Sequence, residues 1–228
     1  ELVGQRILDE LKRRRDNGQH RLFRKALQSF PVDQLSATLR RQVRELIEQD
    51  RLQTDRVNTA RLLMTDQLAA VSKTKTRQQL QPLIDEIVAG LDAESVSRVD
   101  AFLKLSDDAT LDASQKLALA GSGWLTGSQN AVTVVRDTVS LYRARELLLA
   151  ATRADRAELP GLLSRLESLE GISPARIALL IGELPPIVPT PEIQPGAAVK
   201  IEPAADLPGY WVLLPPEYNP NHRYPTLV

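Results

Sequence analysis

A hydrolytic serine needs a tight turn around it. The arrangement sought is glycine two residues before and two after the nucleophile, which lets a strand turn sharply into a helix and lifts the hydroxyl into the open. Ser122 has Ala120 two residues before it and Ser128 has Thr126, so neither fits. The chain contains no cysteine, which removes thiolate nucleophiles, thiolate metal sites and disulfides together. Gly121, Gly123 and Gly127 have the density of a phosphate loop, but the Gly-Lys-Ser/Thr ending and a preceding strand are both missing. We read them as a tight helix junction, where small residues let two helices approach and the ring of Trp124 fills the gap. The two histidines, His20 and His222, lack the spacing of metal ligands. His20 lies in a polar, basic stretch and is expected to be solvated. His222 falls in a loop between Asn221 and Arg223. The carboxylate pairs Asp85-Glu86 and Asp107-Asp108 read as turn and surface residues, since acid–base work needs a buried, shifted group in a cleft. No catalytic residue and no cofactor or metal site is expected.

One charged feature stands out. Residues 1–44 carry eleven Lys and Arg against five Asp and Glu, an excess of six in a chain whose overall formal charge is zero. Its centre is Arg13, Arg14, Arg15, Arg21, Arg24 and Lys25. Such a cluster serves either as a solvated helix face or as a contact surface for an anionic or protein partner. The balanced total argues against a dedicated nucleic-acid binder.

These residues must be positioned by helices. Aromatic residues make up only 4 % of the chain, so the core is aliphatic, which suits helix packing. Residues 1–181 hold four of the fifteen prolines and residues 182–228 hold eleven. Proline lacks a backbone N–H and fixes φ, so the first part can be helical and the second cannot. The apolar spacing predicts about nine helices. The first ends at Asn17-Gly18, and the second ends before Pro31. Asp33 is expected to cap the stripe Leu35, Leu39, Val43, Leu46 and Ile47. A separate stripe runs Val57, Ala60, Leu63, Met64, Leu68 and Val71. Next come Leu80, Leu83, Ile84 and Ile87, stopped by Gly90. Asp92 caps Val96, Val99, Phe102 and Leu103, and Asp112 caps a helix reaching about Leu125. A long helix follows from about Gln129 to Thr152. Leu159, Leu162, Leu163, Leu166 and Leu169 line another, closed by Gly171. Ser173-Pro174 starts the last, which ends near Gly182. No apolar run approaches a membrane span. The chain begins at Glu1 with no charged-then-apolar leader pattern, so its compartment is not legible.

Residues 183–208 read as a Pro-rich linker, with Val199-Lys200-Ile201 a short strand within it. Tyr210-Trp211-Val212-Leu213-Leu214 has the length and residue types of a strand, ended by Pro215-Pro216. Tyr224-Pro225-Thr226-Leu227-Val228 starts another. Two such strands cannot bury a core alone, so further partner strands are expected after Val228.

The stretch from Tyr210 to Pro220, then Arg223 to Val228, resembles the start of esterase-type α/β-hydrolases, including feruloyl-esterase-like and prolyl-oligopeptidase-like enzymes. Their pattern is an apolar strand, Pro-Pro-x-Tyr, a short polar loop, Tyr-Pro and a second apolar strand. The family often has Gly where this chain has Glu217. The likeness covers about twenty residues and stops short of the family's His-Gly motif, nucleophile elbow and remaining triad residues. Ser122-Gly123-Trp124-Leu125-Thr126-Gly127, with the helix after it, is similar to helical segments preceding such domains in large bacterial proteins.

The expectation is therefore a mainly α chain: an antiparallel helical bundle or stacked helical hairpins over 1–182, a linker over 183–208, and the first strands of an incomplete α/β-hydrolase-like domain over 209–228. The resemblance implies a non-catalytic accessory or scaffolding role within a larger serine hydrolase, an esterase or peptidase. Its partner would be the hydrolase domain of the same chain. The alternative is a stand-alone helical interaction module that uses the basic N-terminal surface to hold a protein partner.

Overall fold

The computed structural model describes residues 2–32, 35–184, 193–202 and 208–218. Asp33, most of the linker prolines, His222 and the strand expected at 224–228 lie outside these. Among the described residues the chain is mainly helical, with nine α-helices and a two-stranded antiparallel sheet. It divides into two compact units, residues 1–53 with 186–228, and residues 54–185.

In the first unit, α1 (Leu2–Asp16) and α2 (His20–Gln28) pack together around Leu8, Leu11 and Phe23, with Leu39, Val43 and Leu46 from α3 (Ala37–Ala70). The turn between α1 and α2 needs a left-handed residue, and Gly18 supplies it at φ 69°. The N–H groups of Asn17, Gly18 and Gln19 bond back to carbonyls of Arg13, Arg15 and Arg14. Strand β1 (Ala198–Ile201) pairs antiparallel with β2 (Tyr210–Leu213), matching Lys200 to Trp211 and Ile201 to Tyr210. Among the described residues the partner of β2 is thus an upstream strand from the linker.

The second unit is built around α6 (Ala113–Thr126), in which every residue from Leu117 to Thr126 is buried. It packs against α4 (Thr74–Gly90), α5 (Asp100–Leu105), α7 (Val135–Ala151) and α9 (Pro174–Gly182). The remaining helix, α8 (Leu159–Glu167), packs on α7. Gly121 and Gly123 are dictated by close approach. A Cβ at 121 would lie 2.6 Å from Leu83 Cδ2 and 2.7 Å from Thr138 Cγ2, and one at 123 would lie 2.5 Å from the Arg98 carbonyl oxygen. Asp112 caps α6 through a reciprocal pair: its carboxylate accepts from the Gln115 N–H, and the Gln115 side chain accepts from the Asp112 N–H. Ser173 caps α9. Asp92 accepts from the N–H groups of Glu94 and Ser95, and a 3-10 turn over Val96–Val99 leads into α5.

Three expectations about elements change. The stripes at 35–47 and 57–71 belong to one continuous helix, α3, because residues 37–70 contain neither Gly nor Pro. The polar interval between the stripes marks a change of core: Leu39, Val43 and Leu46 serve the first, and Val57, Ala60, Met64 and Leu68 the second. The long helix begins at Val135, not near Gln129. Gly127 at φ 87° turns the chain out of α6, and buried Ser122 Oγ accepts from the Val132 N–H at 2.8 Å, pinning an extended segment there. Ile47 and Leu163, assigned to buried stripes, are exposed.

Candidate contact surfaces

The basic cluster lies on α1 and α2, and most of it is already partnered. Glu10 pairs with Arg13 at 3.1 Å and with Arg14 at 2.9 Å, one helical turn away. Arg15 reaches Asp16 at 2.9 Å and also Gln49 of α3. Arg24 donates to both oxygens of Asp50, at 2.7 and 3.2 Å. That carboxylate, the largest influence, holds the Arg24 guanidinium above its ordinary value against the opposing cost of burial. His20 is not solvated as expected: its Nδ1 lies 3.1 Å from Asp50 Oδ1, with the side chain mostly covered. Asp50 thus ties α2 to α3 through two side chains. Of the six cluster residues, only Arg21 and Lys25 have side chains without an ion-pair partner among the described residues. Arg6, Lys12, Arg40 and Arg44 of the wider stretch 1–44 likewise show no ion pair among the described residues, so the excess of charge read from the sequence is not cancelled by this pairing.

Glu217 makes a contact that local reasoning missed. It follows β2, and its carboxylate accepts from the backbone N–H of Arg21 at 2.9 Å and of Leu22 at 2.6 Å. These N–H groups open α2 and have no partner within the helix, so an anion placed there satisfies both and meets the positive end of the helix dipole. Gln19, at the cap position, makes no side-chain capping bond. Glycine, which the hydrolase-like pattern often has at this position, offers no carboxylate.

The ribbon that Glu217 fastens carries an apolar face. Side chains alternate along a strand, so Trp211 and Leu213 share a face with Ala198 and Lys200 across the pair. Trp211 is 69 % exposed and Leu213 66 % exposed. On the opposite face Val199, Ile201 and Val212 are half-buried, while Tyr210 is exposed.

In the second unit, Trp124 is the ring expected to fill the gap beside the glycines. It is buried and lies against Gly90 of α4. Its indole N–H points to Glu86 at 3.4 Å, and Glu86 also receives Arg145 at 2.8 Å. Glu86 is therefore a partly buried structural anion and not the surface residue expected. Arg98 stacks 5.5 Å from the centre of the Trp124 ring, donates to the Trp124 carbonyl and pairs with Glu183 just after α9. Burial first, then Glu146 and Glu86, pushes the nearby Tyr142 hydroxyl up. Every strong donor in this network already has an acceptor, so it braces helices.

None of this is a hydrolytic constellation. Ser122 is wholly buried, donating to the Ala118 carbonyl at 2.6 Å. His20 faces an aspartate and an α-helix. Among the described residues no cluster of His, Asp or Glu is arranged to hold a metal ion, and no helix is long and apolar enough to cross a membrane. Comparison with protein-family models, with curated proteins and with solved structures finds no match.

Proposed function

We propose that this chain is the non-catalytic helical accessory or scaffolding part of a larger serine hydrolase, an esterase or peptidase, with residues 210–228 opening its α/β domain. The observation that supports it most directly is the exposed Trp211–Leu213 face on a two-stranded ribbon. A ribbon of two strands is marginal alone, and a large apolar face on it gains stability only when another layer covers it. Strand β2 is also where the hydrolase-like pattern begins. Glu217 gives the helical part its role in this reading: bonded to the start of α2, it fixes the ribbon's exit to the helices, so that a domain built on the ribbon is held in place.

The test is labelling with a fluorophosphonate, which reacts only with an activated serine. A serine alcohol is a weak nucleophile until a positioned base takes its proton, and the developing oxyanion needs fixed donors. The parent protein should be labelled at one serine outside residues 1–228, and the 228-residue chain should remain unlabelled. Labelling of a serine within these residues, or an inert parent protein, would overturn the assignment.

A further inference from the structure

A second surface, independent of the hydrolase reading, lies on the α7–α8 hairpin. Between these helices runs a trough of about 420 Å³. One wall is a single face of α7, with Arg143, Glu146 and Leu147; the other is a face of α8, with Leu162 and Arg165, continued by Leu169 just after the helix. The leucines are half-buried and form the floor, while the three charged residues are exposed at the rim.

In the second unit Arg56, Arg98, Arg136, Arg145 and Arg176 reach carboxylates, and Arg61 and Arg77 reach backbone carbonyls. Among the described residues of that unit Arg143, Arg153, Arg156 and Arg165 reach neither, and of these Arg143 and Arg165 line one trough, on either side of its apolar floor. A guanidinium is always charged and offers a planar fork of donors suited to a carboxylate. A partner that fits this trough brings apolar groups for the floor and carboxylates for the two arginines.

We propose that this trough docks an acidic amphipathic helix of a partner protein. The trough's shape favours a helix over a free fatty acid. A small apolar ligand is best held where most of its surface is covered, whereas this trough is open along one side. A helix needs only one face covered, and places its apolar residues at spacings of three and four into a groove between two others. Glu146 in the same rim disfavours a polyanion such as nucleic acid, and suits a segment that carries an occasional basic residue among its acids.

The absence of cysteine makes the test clean. Ser168 lines the trough and is exposed, so Ser168→Cys in the full chain gives a single attachment point for an environment-sensitive dye. The probes are three synthetic helical peptides: one with leucines at helical spacing flanked by glutamates, its scrambled form, and its lysine-for-glutamate counterpart. Laurate is a fourth. The acidic amphipathic peptide should shift the dye saturably, and the other three should not. Arg143→Glu with Arg165→Glu should weaken that binding about tenfold or more, because like charges then meet across the groove, and should confer binding to the lysine peptide. Both residues are exposed, and unchanged helical circular dichroism would show that the variant folds. A response to laurate alone, equal binding of the scrambled peptide, or binding indifferent to charge reversal would overturn the proposal.

Discussion

Single residues in this chain act most decisively where they close a helix end or permit a close approach. Asp112 does the first. Its carboxyl is held below the ordinary range, chiefly by the Ser114 hydroxyl and then by the Gln115 N–H. A carboxyl whose folded value is depressed contributes stability that is full above the unfolded value, about 3.9, and lost as pH falls through the lower folded one. Asp112→Asn should keep the cap but flatten this part of the acid limb, whereas Asp112→Ala should lose about 1 kcal/mol near neutral pH. Urea unfolding of the three proteins between pH 2.5 and 7 measures both effects. Gly121 does the second. Two opposed side chains crowd the place its Cβ would take, so Gly121→Ala should destabilise by about 1–3 kcal/mol despite the better helix propensity of alanine. Gly161, within α8, has nothing within 4 Å of that place. Gly161→Ala should therefore go the other way, stabilising by up to ~1 kcal/mol. Thermal unfolding of the pair checks the opposite signs.

At the scale of elements, the local signals were largely legible. Three-and-four spacing located the buried face of α4, and the caps at Asp112 and Ser173 marked real helix starts. What escaped was pairing at a distance. Glu217 caps a helix almost two hundred residues earlier, and Asp50 gathers His20 and Arg24 from another helix. No local pattern records such pairs, so His20 read as solvated and Glu217 as a mere departure from a motif. The fusion of two expected helices into α3 has a different cause. A lapse in an apolar stripe looks like a loop, but no Gly or Pro interrupts 37–70, so the backbone hydrogen bonds can run on through the polar interval. Backbone amides of residues 48–56 should therefore be protected from hydrogen exchange, continuously with those on either side. Fast exchange confined to that interval would show that two helices meet there.

For the whole molecule, the decisive fact is that the chain builds two separate cores. Among the described residues, six side chains are buried in the first, while twenty-three form the second. Burial supplies most of the free energy that opposes chain entropy, and each buried leucine or phenylalanine contributes about 1.5–3 kcal/mol. The smaller core therefore has much less reserve against local opening. Phe23 is its only buried aromatic ring and is fully inaccessible. Removing a buried ring of that size costs about 3–5 kcal/mol, a large part of the stability that a core of six side chains can maintain. Phe23→Ala should thus release the amides of α1 and α2 to hydrogen exchange in mild denaturant. The amides of α6, enclosed by the larger core, should exchange as slowly as in the unaltered chain. Under the same conditions Met64→Ala, in the second core, should speed exchange in α6 instead. If Phe23→Ala loosened α6 as much as α1 and α2, the two cores would have to unfold as one cooperative body, and the division at residue 53 would have no energetic meaning.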